Sequence, residues 1–322
     1  MHLYTKNIGK TFSGVNVLRE VDFNLEPGEV HALVGENGAG KSTFAKVLSG
    51  VYTPTEGDIF LDDKKAQINT PIAAQKNGIS LIHQEPQSFS HLSVAENIFM
   101  GHMEGSNFSR VKWKDINKSS EKILSSIGLE IDPKNIMEGL SIADQQMIEI
   151  AGALSKNSKI LIMDEPTSPL TPNEVGKLFD IVKQLKDQGM AIIFISHRLE
   201  EIRAIADRVT IFRDGDLIAT KKINDISNEE IIKFMIGRSI EEIDVRENEY
   251  LKNNETILSV NNISQYGNFK NISFDLKKGE ILGFAGLVGA GRTEVAKAIF
   301  GAENFDEGEI NLKGKVISNK SP

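Results

Sequence analysis

One glycine-rich pattern occurs twice in this chain of 322 residues, each time at the same place within a longer repeated segment. The first copy reads G-E-N-G-A-G-K-S over residues 35–42, and the second reads G-L-V-G-A-G-R-T over residues 286–293. The copies are offset by 251 positions, without a gap, from Val21 in the first copy to the last residue of the chain in the second. A repeat this long indicates duplicated domains, because solenoid repeats span only about 20–50 residues.

The repeat also predicts how the chain is divided. We expect a first domain over residues 1–238, with a helical subdomain at about 85–155, and then an acidic linker over residues 239–255. A second domain begins at residue 256, and we expect the chain to stop partway through it, at residue 322. The first half of such a domain cannot close a parallel sheet of its own, because the strands that complete the sheet come later.

The composition limits the classes of protein to which this chain can belong. With 40% hydrophobic and 25% charged residues the chain is typical of globular domains. A net charge of −8 argues against a nucleic-acid binder, and the lack of cysteine excludes disulfides and thiol chemistry. No apolar run approaches the roughly 18 residues of a membrane span, and the first residues do not resemble a signal peptide. We therefore expect any membrane role to depend on a partner protein.

The apolar runs predict an α/β fold with a mainly parallel sheet. Strands interleaved with helices form such sheets, and the helices cover both faces. Residues 85–155 are predicted to be mostly helical, with caps or breaks at Ser93, Asp115, Gly128 and Pro133. The other predicted elements are strands at 2–8, Val21–Leu25, Val30–Val34, Ile160–Met163 and Ala191–Ile195, helices at Ser42–Ser49 and Glu174–Gln188, and a hairpin of Val209–Phe212 with Leu217–Thr220.

The first glycine-rich segment has the form G-x-x-x-x-G-K-[ST] and lies between a predicted strand and a predicted helix. Such a loop points backbone N–H groups at phosphate oxygens, and the helix adds its positive end. We expect Lys41 to reach the β- and γ-phosphates, Ser42 to ligate Mg²⁺ and Thr43 to reach the α-phosphate. The predicted nucleotide contacts are Gly35, Glu36, Asn37, Gly38, Ala39, Gly40, Lys41, Ser42 and Thr43.

Two acids end the apolar strand at 160–163. Asp164 lies where a carboxylate can hold Mg²⁺, and Glu165 lies where it can orient or deprotonate a water. Two acids after a strand are often only a helix cap. The phosphate loop upstream favours the catalytic interpretation.

These motifs together resemble the ATPase of an ABC transporter, and more narrowly the tandem ATPase subunits of bacterial sugar importers of the ribose/galactose or autoinducer type. The resemblance covers nearly the whole chain. It is carried by the segments His31–Thr43, Ile82–Glu85, Leu140–Asp144, Glu165–Ser168, Ser196–Ile202 and Ala285–Thr293.

The resemblance implies a P-loop NTPase domain with a parallel sheet, an antiparallel β-rich subdomain and a helical subdomain, which binds ATP and Mg²⁺. It implies that Phe12 stacks on adenine, and that Gln84 contacts Mg²⁺ and the attacking water. It further implies that His197 contacts the γ-phosphate, and that Ser141 contacts the γ-phosphate of a nucleotide on a facing ATPase domain. For Phe12 the competing interpretation is a core phenylalanine, and for His197 it is a polar residue with no catalytic role.

Two departures from the family pattern bear on activity. Asp144 stands where the common pattern has glutamine, and a carboxylate near a phosphate is unfavourable unless it points to solvent. Arg292 replaces the lysine of the second loop, and a planar guanidinium does not substitute for a compact ammonium. Because such domains pair head to tail, we expect the chain alone to bind ATP at Lys41 and to hydrolyse it slowly or not at all, unless first domains dimerise.

The expected function is that of an ATP-binding subunit of a bacterial importer for a sugar or sugar-like solute, an ATPase at the cytoplasmic face of the membrane. Its expected partners are permease subunits and, through them, a periplasmic or surface solute-binding protein, with no nucleic acid. Two alternatives are a soluble tandem ABC protein acting on ribosomes or nucleic acid, and a non-catalytic regulatory fragment. The acidic linker, the net charge and Arg292 argue against the first alternative.

Overall fold

The computed structural model describes residues 1–84, 86–102, 111–237, 254–286 and 290–317. The chain divides into two compact units, Met1–Ser239 and Ile240–Pro322. The predicted linker lies outside the described residues except for Asn254 and Glu255. In the described part of the chain, no helix is both long enough and apolar enough to cross a membrane.

The first unit alternates strands and helices after an antiparallel start. Its strands are β1 (Leu3–Phe12), β2 (Val15–Val21), β3 (Asn24–Leu25), β4 (Val30–Val34), β5 (Glu56–Leu61), β6 (Lys64–Ala66), β7 (Ile79–Ile82), β8 (Ile160–Asp164), β9 (Ala191–Ile195), β10 (Arg208–Arg213) and β11 (Asp216–Lys222). Its helices are α1 (Lys41–Leu48), α2 (Pro71–Lys76), α3 (Val94–Phe99), α4 (Trp113–Ser126), α5 (Ile142–Ser155), α6 (Pro172–Asp187), α7 (Leu199–Ile205) and α8 (Asn228–Ile236), with a 3₁₀ turn at Ile223–Asp225.

A six-stranded sheet in the order β11-β10-β4-β9-β8-β7 forms the centre of this unit. The five strands from β10 to β7 are parallel, and β11 joins β10 as an antiparallel hairpin. Alternate residues of these apolar strands enter two different cores. Val30 and Ala32 of β4 lie in the core shared with α5 and α6, whereas Leu33 lies in the core shared with α1. The sheet is therefore buried on both faces, which explains the unbroken apolar runs.

A second sheet is antiparallel, in the order β2-β1-β5-β6, with β3 paired to β1. The predicted strand at 2–8 is too short, since β1 continues to Phe12 and then pairs with β2. Ser13 and Gly14 have φ of 46° and 84°, as a two-residue type I′ hairpin requires. The predicted strand at Val21–Leu25 is also wrong, because β2 ends at Val21 and β3 is a separate strand.

Three helices, α3, α4 and α5, make up a layer within the segment predicted to be helical. Ser93 caps α3 in a reciprocal capping box with Glu96. The helix expected to be capped at Asp115 instead starts at Trp113, after Lys112, so that Asp115 lies in the first turn of α4. Residues 85 and 103–110 lie outside the described part of the chain.

In the second unit, strands β12 (Thr256–Gln265), β13 (Phe269–Lys277), β14 (Glu307–Leu312) and β15 (Lys315–Ile317) form one antiparallel sheet, in the order β13-β12-β14-β15, beside helix α9 (Arg292–Phe300). Residues 281–286 correspond to β4 and the start of the first loop but form no strand, and Ile281 is 98% exposed. In the first unit β4 is held by β9 and β10. The described residues of the second unit include no counterpart of those two strands.

Candidate functional site

The first glycine-rich loop connects β4 to α1 under tight steric limits. Gly35 has a φ of 156°, and a Cβ at this position would come within 2.4 Å of the Phe212 carbonyl oxygen. Gly40 caps α1 with a φ of 103°. Side chains are therefore excluded at both ends of the loop. Only glycine at these two positions allows the backbone conformation that links the central sheet to the helix.

Lys41 lies at the centre of this loop and is only 6% exposed. Its Nζ donates to the Gly35 carbonyl at 2.8 Å and to the Glu36 carbonyl at 3.0 Å. Burial lowers the pKa of Lys41, and the nearby charges of Glu165 and Asp164 partly offset that effect. The ammonium group thus has few water contacts, and an anion in the loop can replace the two carbonyls as its partner.

Ser42 and Asp164 meet across the sheet, although they are far apart in the chain. The Ser42 hydroxyl donates to Asp164 Oδ1 at 3.1 Å. Burial raises the pKa of Asp164, and the hydrogen bond from Ser42 opposes the rise. The pair supplies two hard oxygen ligands next to the loop, as a divalent cation such as Mg²⁺ requires.

Gln84, Glu165 and His197 follow the neighbouring parallel strands β7, β8 and β9, and their side chains meet at the carboxyl edge of the sheet. Gln84 Nε2 donates to Glu165 Oε2 at 3.4 Å. His197 Nδ1 lies 3.2 Å from Glu165 Oε1, in a contact where the imidazole is the donor. Glu165 adopts a left-handed backbone with φ 49°, and its N–H donates to the Ile195 carbonyl at 3.0 Å. Both carboxylate oxygens of Glu165 are therefore oriented by flanking loops.

Phe12 lies apart from these carboxylates, at the end of β1, and is 37% exposed. Its ring meets Tyr52 edge-on, with centroids 5.0 Å apart, and Lys10 Nζ lies 4.9 Å from its centroid. Tyr52 is joined to α1 through its N–H, which donates to the Lys46 carbonyl at 3.0 Å. Phe12 is not a fully buried core residue, and its partial exposure leaves part of the ring accessible.

Ser141 caps α5, and its hydrogen bonds remain in the first turn of that helix. Its Oγ accepts from the Asp144 N–H at 3.1 Å and donates to Asp144 Oδ2 at 2.8 Å. The carboxylate of Asp144 thus holds the hydroxyl proton that a phosphate would need. The Ser-x-x-Asp spacing, which resembles a capping box, is the sequence signal for this contact.

Sequence reasoning missed several side chains beside the predicted ones. Lys10 and Tyr52 surround Phe12, and the buried acid Glu201 lies behind the loops of Glu165 and His197. The sequence signal for Glu201 is weak: it is one of two acids in the first turn of the helix after the Ser-His-Arg segment, and Glu200 is the other.

The described residues at the end of the second loop differ from their counterparts in the first loop. Gly291 caps α9 with φ 80°, as Gly40 caps α1, but Arg292 is exposed where Lys41 is buried. The Arg292 side chain turns towards Gly286, with its Cδ 3.5 Å from the position a Cβ would take there. Leu287, Val288 and Gly289 lie outside the described residues.

A strand, a glycine-rich loop and a helix, with paired acids at the end of a nearby parallel strand, define a P-loop nucleotide-binding domain. The family model for the ABC transporter matches residues 18–168 and 269–322. The chain belongs to this family.

Curated relatives extend the match over nearly the whole chain. A ribose import ATP-binding protein of Clostridium tetani is 47% identical over 321 residues, which is 99% of this chain and 63% of the relative. One of Streptomyces avermitilis is 45% identical over 320 residues, with the same two shares. A putative ribose/galactose/methyl galactoside import ATP-binding protein of Burkholderia cenocepacia is 46% identical over 316 residues, or 98% of this chain and 62% of the relative. The chain spans less than two thirds of the length of these relatives.

Solved structures match about three quarters of the chain. An ATP-binding cassette of an ABC transporter in its ADP conformation gives a TM-score of 0.65 at 27% identity, over 74% of this chain and 100% of the other. A subunit of the cbiONQ ABC transporter complex of Clostridium perfringens gives a TM-score of 0.62 at 27% identity, over 71% of this chain and 92% of the other. The expected fold, a P-loop ATPase domain with a parallel sheet, an antiparallel sheet and a helical layer, is confirmed.

Proposed function

We propose that the first unit binds ATP with Mg²⁺ and hydrolyses it, as the ATPase subunit of a bacterial importer for a sugar or sugar-like solute. The observation that carries this proposal is the convergence of the glycine-rich loop with the ends of β7, β8 and β9. There Lys41, Asp164 and Glu165 lie beside one another, with a glutamine and a histidine on either side of Glu165.

The residues at this site fit a magnesium ion. In the described part of the chain, no three His, Asp or Glu side chains are grouped to hold a metal. A cation here would depend on Asp164, the Ser42 hydroxyl, the Gln84 amide oxygen and the phosphates of its substrate, which is the ligand set typical of Mg²⁺ in nucleotide sites. When bound, the ion would neutralise charge on the phosphates.

The proposed reaction is attack of a water oxygen on the γ-phosphorus of ATP, in which the new P–O bond forms as the bond to the β–γ bridging oxygen breaks and ADP leaves. Backbone N–H groups of residues 35–43 and the Lys41 ammonium bind the phosphates once Lys41 leaves the two loop carbonyls. Glu165 orients the attacking water and accepts its proton, because both of its oxygens are directed by Gln84 and His197. His197 then contacts the γ-phosphate, and Phe12 presents its ring to adenine. Ser141 contacts the γ-phosphate of a nucleotide on a facing domain once its hydroxyl leaves Asp144.

Transport is the further part of the proposal, and the names of the relatives support it. They are ribose or galactose import proteins, from which we infer a sugar-like solute, permease partners, a solute-binding protein and a peripheral place at the cytoplasmic face. A cavity of about 260 Å³, lined by both polar and apolar side chains, lies between β7 and the helical layer, and we propose that a segment of the permease binds there. Phe89 and Met100 line this cavity and offer apolar, adaptable side chains to a partner.

The test compares Glu165→Gln with Glu200→Gln, an exposed acid on α7 that serves as the matched control. Single-turnover hydrolysis, with protein in excess over ATP, detects even slow reaction by this chain. We expect Glu165→Gln to lower the rate about 100-fold while ATP affinity changes less than about threefold, since general-base groups contribute 10²–10⁴-fold. We expect Glu200→Gln to behave like the unaltered chain. An unchanged rate in Glu165→Gln would contradict the proposal.

A further inference from the structure

A buried carboxylate joins the two loops that carry Glu165 and His197. Glu201, in the first turn of α7, is only 6% exposed. Its Oε2 accepts from the hydroxyls of Thr167 and Ser196, each at 2.7 Å. Its Oε1 accepts from Arg198 Nη1 at 3.0 Å. All three donors belong to the segments that follow β8 and β9.

The positions of these donors in the chain are informative. Thr167 comes two residues after Glu165, and Ser196 comes immediately before His197. Both hydroxyls are buried and share one oxygen atom, so the two loops are joined through a single acceptor. Ser196 Oγ also accepts from the Arg198 N–H at 3.0 Å, which fixes the loop on the far side of His197.

Packing alone does not set the spacing of these loops. They enclose a small polar cavity of about 80 Å³, lined by Glu165, Thr167, Ser168, Ser196, His197 and Arg198. A buried carboxylate is costly unless it is hydrogen-bonded, and charge-assisted bonds are stronger than neutral ones. Apolar packing cannot fix two loops that are separated by a cavity. The three hydrogen bonds to Glu201 therefore hold the loops in place at this point.

We propose that Glu201 is a positioning residue, which sets the geometry between Glu165 and His197 by binding Thr167 and Ser196 on one carboxylate oxygen. The effect on catalysis rests on the proposed ATP hydrolysis. The effect on the arrangement of the two loops does not.

The test uses pairs of small changes, because removing Glu201 itself would leave two buried hydroxyls and the exposed Arg198 without their acceptor. Thr167→Val removes one hydroxyl at constant shape, and Thr167→Ser keeps the hydroxyl. Ser196→Ala removes the hydroxyl on the other loop. We expect Thr167→Val and Ser196→Ala each to lower the single-turnover rate about tenfold, since a small misplacement of catalytic groups is costly. ATP affinity should change less than about twofold, and Thr167→Ser should retain at least half the rate.

A second readout works across the loops and needs no hydrolysis. In backbone amide NMR spectra of the nucleotide-free chain, Thr167→Val should shift the His197 resonance, and Ser196→Ala should shift that of Glu165. Thr167→Ser should leave His197 in place. The proposal is overturned if the His197 resonance in Thr167→Val coincides with that of the unaltered chain, or if Thr167→Ser loses as much activity as Thr167→Val. If the unaltered chain binds no ATP, the proposed function fails, and the NMR result still decides the role of Glu201.

Discussion

At the scale of single residues, Glu149 is an acid in an unfavourable place. It lines the cavity beside β7, where the His83 N–H donates to its carboxylate. Its Oε2 is buried and has no hydrogen-bond partner among the described residues. Burial raises the pKa of Glu149 to about 7, although the His83 N–H and the charge of Lys156 act in the opposite direction.

This pKa predicts a loss of stability as the pH rises. Between pH 4.5 and 7 the folded chain binds a proton at Glu149 that the unfolded chain has released, so folding weakens across this window. Relative to Glu149→Gln, we expect the unaltered chain to lose about 2–3 kcal/mol of unfolding free energy between pH 5 and pH 8. Urea unfolding of both chains at the two pH values measures this. A difference between the chains that does not change with pH would contradict it.

At the scale of elements, β4 is the strand on which the first loop depends, and a polar network holds its start. Arg208 of β10 donates to both oxygens of Glu29, at 2.6 and 2.8 Å. The buried His31 lies with Nδ1 3.0 Å from Glu29 and Nε2 2.7 Å from Thr210 Oγ1. Burial alone would raise the pKa of Glu29, but the hydrogen bonds from Arg208 and the close contact with His31 outweigh it and lower the pKa to about 2.

Glu29 changes the free energy of unfolding with pH in the opposite direction to Glu149. The stability that Glu29 contributes is complete above its unfolded pKa of about 4.5 and is lost as the pH falls towards 2. We expect Glu29→Gln to be less stable than the unaltered chain by about 2–3 kcal/mol at pH 6, and this difference to shrink steadily towards pH 3. Thermal or urea unfolding across this range is the measurement. A gap that stays constant would show that the charge of Glu29 is not what stabilises β4.

The sequence alone predicts those strands and helices that a short, continuous sequence pattern marks. The strand at Val30–Val34 is an apolar run of strand length, and the helix after Gly40 starts where the motif requires. The roles of Gln84 and His197 beside Glu165 were implied by the family resemblance, and the side chains come together because parallel strands bring their carboxyl ends to one edge.

Other features depended on contacts that no local pattern shows. The hairpin at Ser13 and Gly14 was missed because its turn is only two residues long and because β1 is partly exposed. The bond between Ser141 and Asp144 and the bridge through Glu201 depend on side-chain directions. These directions are set only once the loops are packed.

At the scale of the whole molecule, two copies of one pattern have taken different structures. In the first unit, Lys41 is buried beneath a loop that a complete parallel sheet supports. In the second, Arg292 is exposed, and the residues that correspond to β4 form no strand. The duplication alone would suggest two equal nucleotide sites, whereas arginine at the position of Lys41 predicts an unequal pair in which the first loop is the main nucleotide site.

The most direct test of this inequality is ATP affinity, measured by calorimetric titration of Lys41→Ala, Arg292→Ala and the unaltered chain. Hydrogen bonds to a charged group are worth about 1.5–3 kcal/mol, or a factor of roughly 10–100 in affinity. We predict that Lys41→Ala weakens ATP binding by at least about tenfold and that Arg292→Ala changes it less than about twofold. Equal losses in the two variants, or a loss in Arg292→Ala alone, would contradict the assignment of nucleotide binding to the first loop.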